Sequence, residues 1–196
     1  MKSYAIADID AMPDENQFLK ALAEIADAGV DTIQLRAKSL EGRDLMRLAE
    51  RCRAAIPSTT LFLVNGRTDV AVACGADGVH LPSAGLPASA VRVISPSLVV
   101  GRSCHSLSDV ARAKGERANY ILLGPVFATR SKSTEGRISS SNLRSAAAEI
   151  PTFALGGISR DNIAQLRGLG LAGVAAITMF MSDRPLEPIV SAVRAM

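Results

Sequence analysis

Short runs of aliphatic and β-branched residues alternate along this chain with longer segments whose apolar positions recur at helical spacing. Strands repeat every two residues and helices every 3.6, so the two patterns separate on inspection. The strand-like runs fall at residues 4–8, 32–36, 61–65, 78–81, 98–103, 120–124, 152–155 and 173–177. Phe18, Ala21, Leu22 and Ile25 share one face of the first helical segment, and Leu45, Leu48, Ala49 and Cys52 one face of the second. Leu186, Ile189, Val190 and Val193 do the same in the last, and such stripes are what a helix lays against a sheet. Strict alternation of the two element types predicts an α/β protein with a parallel sheet and its helices outside. Five or six strands would suit an open sheet; eight predict closure into a single-domain (β/α)8 TIM barrel spanning residues 1–196, short for that fold.

Three joints between helix and strand look alike: Ala28-Gly29-Val30-Asp31, Cys74-Gly75-Ala76-Asp77-Gly78 and Gly170-Leu171-Ala172-Gly173. In each, a glycine is placed to take the left-handed conformation that ends a helix.

Composition narrows the function classes. With 48% apolar and 21% charged residues the chain has ordinary globular make-up. A net charge of +3, scattered basic residues and few aromatics lack the footprint of a nucleic-acid binder. No apolar run reaches the length of a bilayer span, and the opening run meets an acid at Asp8, unlike a secretory leader, so a soluble cytoplasmic protein with no membrane partner is expected. Cys52, Cys74 and Cys104 are odd in number, far apart and without metal-ligand spacing, which predicts reduced thiols and no structural zinc.

Candidate chemistry gathers at the C-terminal ends of the predicted strands, where barrels of this kind carry their sites. Gly156-Gly157 closes the seventh strand, with Ile158-Ser159-Arg160-Asp161 leading into a predicted helix, and Ala175-Ala176-Ile177-Thr178 closes the eighth. Bare amides and a positive helix end there suit a phosphate, although paired glycines also serve plain turns. At the end of strand two, Gln34, Arg36 and Lys38 point one way, either toward an anionic ligand or into an internal salt-bridge layer with an acid such as Asp8. The end of strand five delivers Ser103 and His105, and an imidazole both takes and gives a proton near neutral pH. His105 or Ser106 would alternatively cap the next helix, Cys104 alternates to the packing side, and His80 reads as a hydrogen-bonded structural residue. Residues 125–141 are too long and polar for an ordinary connection: a lid that hangs Thr129, Ser131 and Lys132 over the mouth, or a surface loop.

Gln34-Leu35-Arg36-Ala37-Lys38, Val64-Asn65, Gly75-Ala76-Asp77-Gly78-Val79-His80-Leu81, Gly124-Pro125-Val126-Phe127 with Thr129-Arg130-Ser131-Lys132, and Gly156-Gly157-Ile158 together resemble the thiamin phosphate synthase superfamily in order and approximate spacing. The resemblance runs nearly the whole chain and implies a (β/α)8 barrel and a small phosphorylated thiazole substrate. Synthase members join a thiazole phosphate to a pyrimidine pyrophosphate, with magnesium held by an Asp after the strand-three Asn and another after strand four. Gly66 and Gly85 stand at those positions, and glycine offers no carboxylate.

Gly101-Arg102-Ser103-Cys104-His105-Ser106-Leu107 and Glu135-Gly136-Arg137 look instead like the TenI-like thiazole tautomerase branch, which needs no metal or redox cofactor. That resemblance implies His105 as acid/base. Under it Thr129, Lys132, Gly157 and Thr178 would hold the phosphate, with Ser131, Gly156 and Ile177 beside them. Gln34, Arg36 and Lys38 would receive a carboxylate, with Asn65 and Ser103 completing the mouth. A tautomerase is the first expectation. The alternatives are a magnesium-dependent synthase with a metal site rebuilt from Asp69 and Glu135, and a regulatory barrel that binds without turnover. Pairing of two copies through outer helices would fit this fold.

Overall fold

The computed structural model describes residues 1–128, 136–182 and 185–196. Eight parallel strands close into a barrel in sequence order: β1 (Lys2–Asp8), β2 (Thr32–Arg36), β3 (Leu61–Asn65), β4 (Gly78–Leu81), β5 (Val99–Cys104), β6 (Tyr120–Leu123), β7 (Thr152–Leu155) and β8 (Gly173–Ala176). β8 returns to β1 with Gly173 opposite Lys2 and Ala176 opposite Ala5. Every strand therefore ends on the same rim.

The helices are α1 (Glu15–Asp27), α2 (Gly42–Ala55), α3 (Thr68–Ala73), α4 (Ala88–Ile94), α5 (Leu107–Gly115), α6 (Ser140–Glu149), α7 (Thr178–Met181) and α8 (Glu187–Arg194). The stripes of α1, α2 and α8 are buried as their spacing predicts. Side-chain caps start several helices: the Asp14 carboxylate accepts from Gln17 N for α1, and Ser106 Oγ accepts from Asp109 N for α5.

The unit after β7 departs from expectation. No α-helix follows residues 158–161; among the described residues only a 3-10 turn, Ile163–Leu166, crosses back to β8. The Asn162 side chain explains the loss, since its Oδ1 accepts from Ser159 N at 2.9 Å and its Nδ2 donates to Gly157 O at 2.8 Å. Those bonds offer the backbone a turn in competition with a helix.

Two apolar layers result. The larger lies between sheet and helices, and the smaller fills the barrel with Tyr4, Ile6, Leu63, Tyr120, Leu122, Phe153 and Ala175. Gly101 makes room for the largest of these: a Cβ there would stand 2.0 Å from Tyr120 Cζ.

At the N-terminal rim one stitch recurs on every second strand. Asp31 Oδ2 accepts from Ser3 N at 2.8 Å, Asp77 Oδ2 from Phe62 N at 2.7 Å, and Asn119 Oδ1 from Val100 N at 2.8 Å. Each acceptor immediately precedes β2, β4 or β6 and holds the strand before it. That is the reason for the acids in the repeated joints, whose Gly29, Gly75 and Gly170 all take positive φ.

Candidate functional site

At the C-terminal rim the expected group on β2 divides into three. Gln34 is only 2% exposed, and its amide is committed inside the barrel: Oε1 accepts from Tyr4 Oη at 2.6 Å, and Nε2 donates to Asn65 Oδ1 at 3.1 Å. Arg36 Nη1 pairs with the Asp8 carboxylate, the salt bridge weighed against a ligand. Lys38 lies two residues beyond the strand and is exposed, while its backbone N–H donates to Asp10 Oδ2 at 3.0 Å. A single pocket of Gln34, Arg36 and Lys38 around one carboxylate is therefore corrected. β2 stops at Arg36 because the Asp8 carboxylate at the end of β1 and the Asp10 carboxylate two residues later take hold of the chain there.

Asn65 and Ser103 are half-buried at the ends of β3 and β5, and between them on β4 sits His80. His80 Nε2 lies 2.8 Å from Ser103 Oγ and its Nδ1 3.1 Å from Tyr120 Oη. Burial pushes the imidazole down to about 3, so it is neutral at physiological pH. The structural role expected of His80 holds, but the two tyrosines behind it were missed. Their signal was present in the sequence as inward-facing positions of β1 and β6, with glycine at 101 to admit the second ring.

His105 stands on the rim between β5 and β6. Its Nδ1 lies 2.6 Å from the carbonyl oxygen of Gly124, which only accepts, so Nδ1 carries a proton and in the neutral tautomer Nε2 holds the lone pair. The residue is exposed among the described residues. Ser106 takes the cap, and the Asp109 carboxylate accepts from His105 N at 2.9 Å, which fixes the backbone under the ring. Cys104 points outward into the core, where burial pushes its thiol up to about 12, as packing rather than a nucleophile requires.

Gly156 and Gly157 are required by packing whether or not they meet an anion. Both have positive φ, and a Cβ on Gly157 would lie 2.3 Å from Ala128 O. Residues 125–127 run beside them, with Val126 N donating to Leu155 O and Phe127 N to Gly156 O, both at 3.0 Å. Among the described residues no group accepts from the amides of Gly157, Ile158, Thr178 or Met179. β7 and β8 are paired, so these amides belong to adjacent loops on the rim. They are the amides the sequence assigned to a phosphate, with Ile177 beside them, and the helix expected behind Gly157 is absent. Thr129, Ser131, Lys132 and Glu135 lie outside the described residues.

Among the described residues, the candidate carboxylates for magnesium are engaged elsewhere. Asp8 is held by Arg36, Asp10 by Ser39 and the Lys38 amide, and Asp69 by Arg67 on the exposed start of α3. Among the described residues no three His, Cys, Asp or Glu side chains gather to hold an ion. Among them, too, no helix is long and apolar enough to cross a membrane.

A family model described as "Thiamine monophosphate synthase" matches residues 3–180. A thiamine-phosphate synthase of Methanoculleus marisnigri is 41% identical over 168 residues, 83% of this chain and 80% of its own length. Another from Pyrococcus abyssi is 30% identical over 197 residues, 99% of this chain and 93% of its own. The solved thiamine phosphate pyrophosphorylase from Pyrococcus furiosus superimposes with a TM-score of 0.86 at 29% identity, covering 99% of this chain and 94% of that one. These names agree with the synthase alternative and do not distinguish the tautomerase branch.

Proposed function

Since this chain belongs to the thiamine monophosphate synthase family, we propose that it is a thiamine-phosphate synthase, joining a thiazole phosphate to a pyrimidine pyrophosphate at the C-terminal mouth of the barrel. The observation that carries this reading is similarity over most or nearly all of the chain to proteins of that name. Geometry adds polar groups at the mouth: Asn65 and Ser103 at the ends of β3 and β5, with the exposed Lys38 just beyond the end of β2. Bare amides after β7 and β8 supply a place for the thiazole phosphate. In synthases magnesium offsets the charge of the departing pyrophosphate. Because the carboxylates for it are replaced by Gly66 and Gly85, the chain's own part here is electrostatic, with the exposed Lys38 as the cation offered to the leaving group's charge and Arg36 already paired with Asp8.

A second reading, thiazole tautomerase, has one specific observation in its favour. His105 is anchored through Nδ1, and its Nε2 lone pair is directed away from that bond, as a general base at the rim would need. Lost carboxylates at 66 and 85 cost that reaction nothing.

One pair of assays separates the two. With both precursors, pyrophosphate release by the wild type that persists within about threefold in His105→Asn supports the synthase. Absence of pyrophosphate release, with aromatisation of the dihydrothiazole followed by ultraviolet absorbance and slowed about 10²- to 10⁴-fold in His105→Asn, replaces it by the tautomerase.

A further inference from the structure

Six side chains cross the barrel interior from the end of β5 to the end of β3 as one unbroken chain of hydrogen bonds. Ser103 Oγ lies 2.8 Å from His80 Nε2, His80 Nδ1 lies 3.1 Å from Tyr120 Oη, and Tyr120 Oη lies 2.9 Å from Tyr4 Oη. Tyr4 donates to Gln34 Oε1 at 2.6 Å, and Gln34 Nε2 donates to Asn65 Oδ1 at 3.1 Å. The four middle members are buried and only the two ends, Ser103 and Asn65, are open toward the mouth.

Proton counting gives the chain a direction. A tyrosine hydroxyl has one proton and a neutral imidazole has one. Burial holds His80 neutral and raises both tyrosines above their ordinary value, so none of the three changes its count at physiological pH. The Gln34 amide sets the sense, since its Oε1 faces Tyr4 and its Nε2 faces Asn65. Tyr4, having given its proton to Gln34, accepts from Tyr120. Tyr120, having given its proton to Tyr4, accepts from His80 Nδ1–H. His80 Nε2 then carries the lone pair and accepts from Ser103.

We propose that Tyr4, Tyr120 and His80 are positioning residues that fix what the mouth offers a ligand: Ser103 Oγ as an acceptor only, and Asn65 through its Nδ2 donors. A ligand group laid against Ser103 must bring an N–H or O–H, and one laid against Asn65 must accept. A phosphate oxygen finds no proton at Ser103, which leaves the ester to the amides after β7 and β8. The relay is also all-or-none. Each link has a single proton, so reversing one bond without loss requires reversing them all, with Ser103 turned into a donor.

The tautomer of His80 reports the direction of the whole relay and needs no substrate. In protein labelled with ¹⁵N-histidine, the two imidazoles are separated by the His105→Asn spectrum. Wild-type His80 should show a protonated Nδ1 and an unprotonated Nε2 at pH 7. Tyr4→Phe frees the Tyr120 proton to turn toward His80 Nδ1, so the ring proton should move to Nε2. Gln34→Leu removes the acceptor one step earlier and should cause the same exchange, should Tyr4→Phe not fold. A wild-type ring protonated on Nε2, or a ring unchanged in the folded variants, overturns the relay.

The kinetic consequence rests on the synthase reading. Tyr4→Phe should raise the KM of one precursor about tenfold, leaving the other KM and kcat within about twofold. Equal KM values in a variant whose tautomer has exchanged would overturn the positioning role. A wild type that releases no pyrophosphate counts against the synthase reading alone, because the imidazole signals still decide the relay.

Discussion

His80 shows how one residue's surroundings set its chemistry. Its ordinary value is about 6.5, and in this interior desolvation lowers it to about 3. Between these values the unfolded chain binds a proton that the folded chain refuses, so acid favours unfolding. The stability contributed by the neutral ring is complete above about pH 6.5 and is lost as pH falls toward 3, by about 1.4 kcal/mol per unit. Urea titrations at pH 6 and pH 5 should show wild type losing roughly 1 kcal/mol more than His80→Asn over that step. Equal slopes would mean that the ring is not shielded. His105, the other histidine, is exposed on the rim and shares none of this burial. One residue type thus takes two roles, set by which side of the strand end it occupies. The period of two along β4 predicts the inward turn of His80, but nothing local in the sequence announces its partners, which come from β5 and β6.

At the scale of elements, the two rims of the barrel do different work. The N-terminal rim is closed by Asp31, Asp77 and Asn119, each gripping the backbone of the preceding strand. Asp31 makes a second bond, accepting from Ser3 Oγ at 2.6 Å, and Ser3 is fully buried. Asp31→Ala leaves that N–H and hydroxyl without their acceptor and should destabilise the fold by about 1–3 kcal/mol in urea titration, with KM for both precursors unchanged. A change in KM would place Asp31 in the site instead. The C-terminal rim is open, and each strand end there is shaped by its neighbours: carboxylates at β2, a capped helix at β5, glycines packed on residues 125–128 at β7. The sequence showed the glycines and suggested an anion. Only the neighbouring segment showed that they are needed first because a Cβ would collide with backbone.

For the whole molecule, closure of the barrel decides what is shielded. Cys52 and Cys104 both lie in the layer between sheet and helices, where burial pushes their thiols up to about 12. At pH 8 only about one in ten thousand of such thiols is ionised. Native protein should therefore react with a thiol-selective disulfide reagent at pH 8 far more slowly than denatured protein, with these two thiols labelled at the rate of global opening. Fast labelling of either would show that the layer opens locally. The same closure brings the tops of β3, β4 and β5 side by side, which a chain read in order keeps tens of residues apart.

Much of this protein was legible in the sequence alone. Eight strand-like runs were found within two residues of their bounds, with the stripes of α1, α2 and α8 and the left-handed joints before β2, β4 and β8. These depend on local periods and on the steric freedom of glycine, both of which are carried by neighbours along the chain. Tertiary structure alone decided that Arg36 meets Asp8 and that Tyr4 and Tyr120 connect Gln34 to His80. In each case a polar group chose between partners. That choice depends on which strands curl back to meet, because a hydrogen bond acts over about 3 Å and registers nothing of distance along the chain.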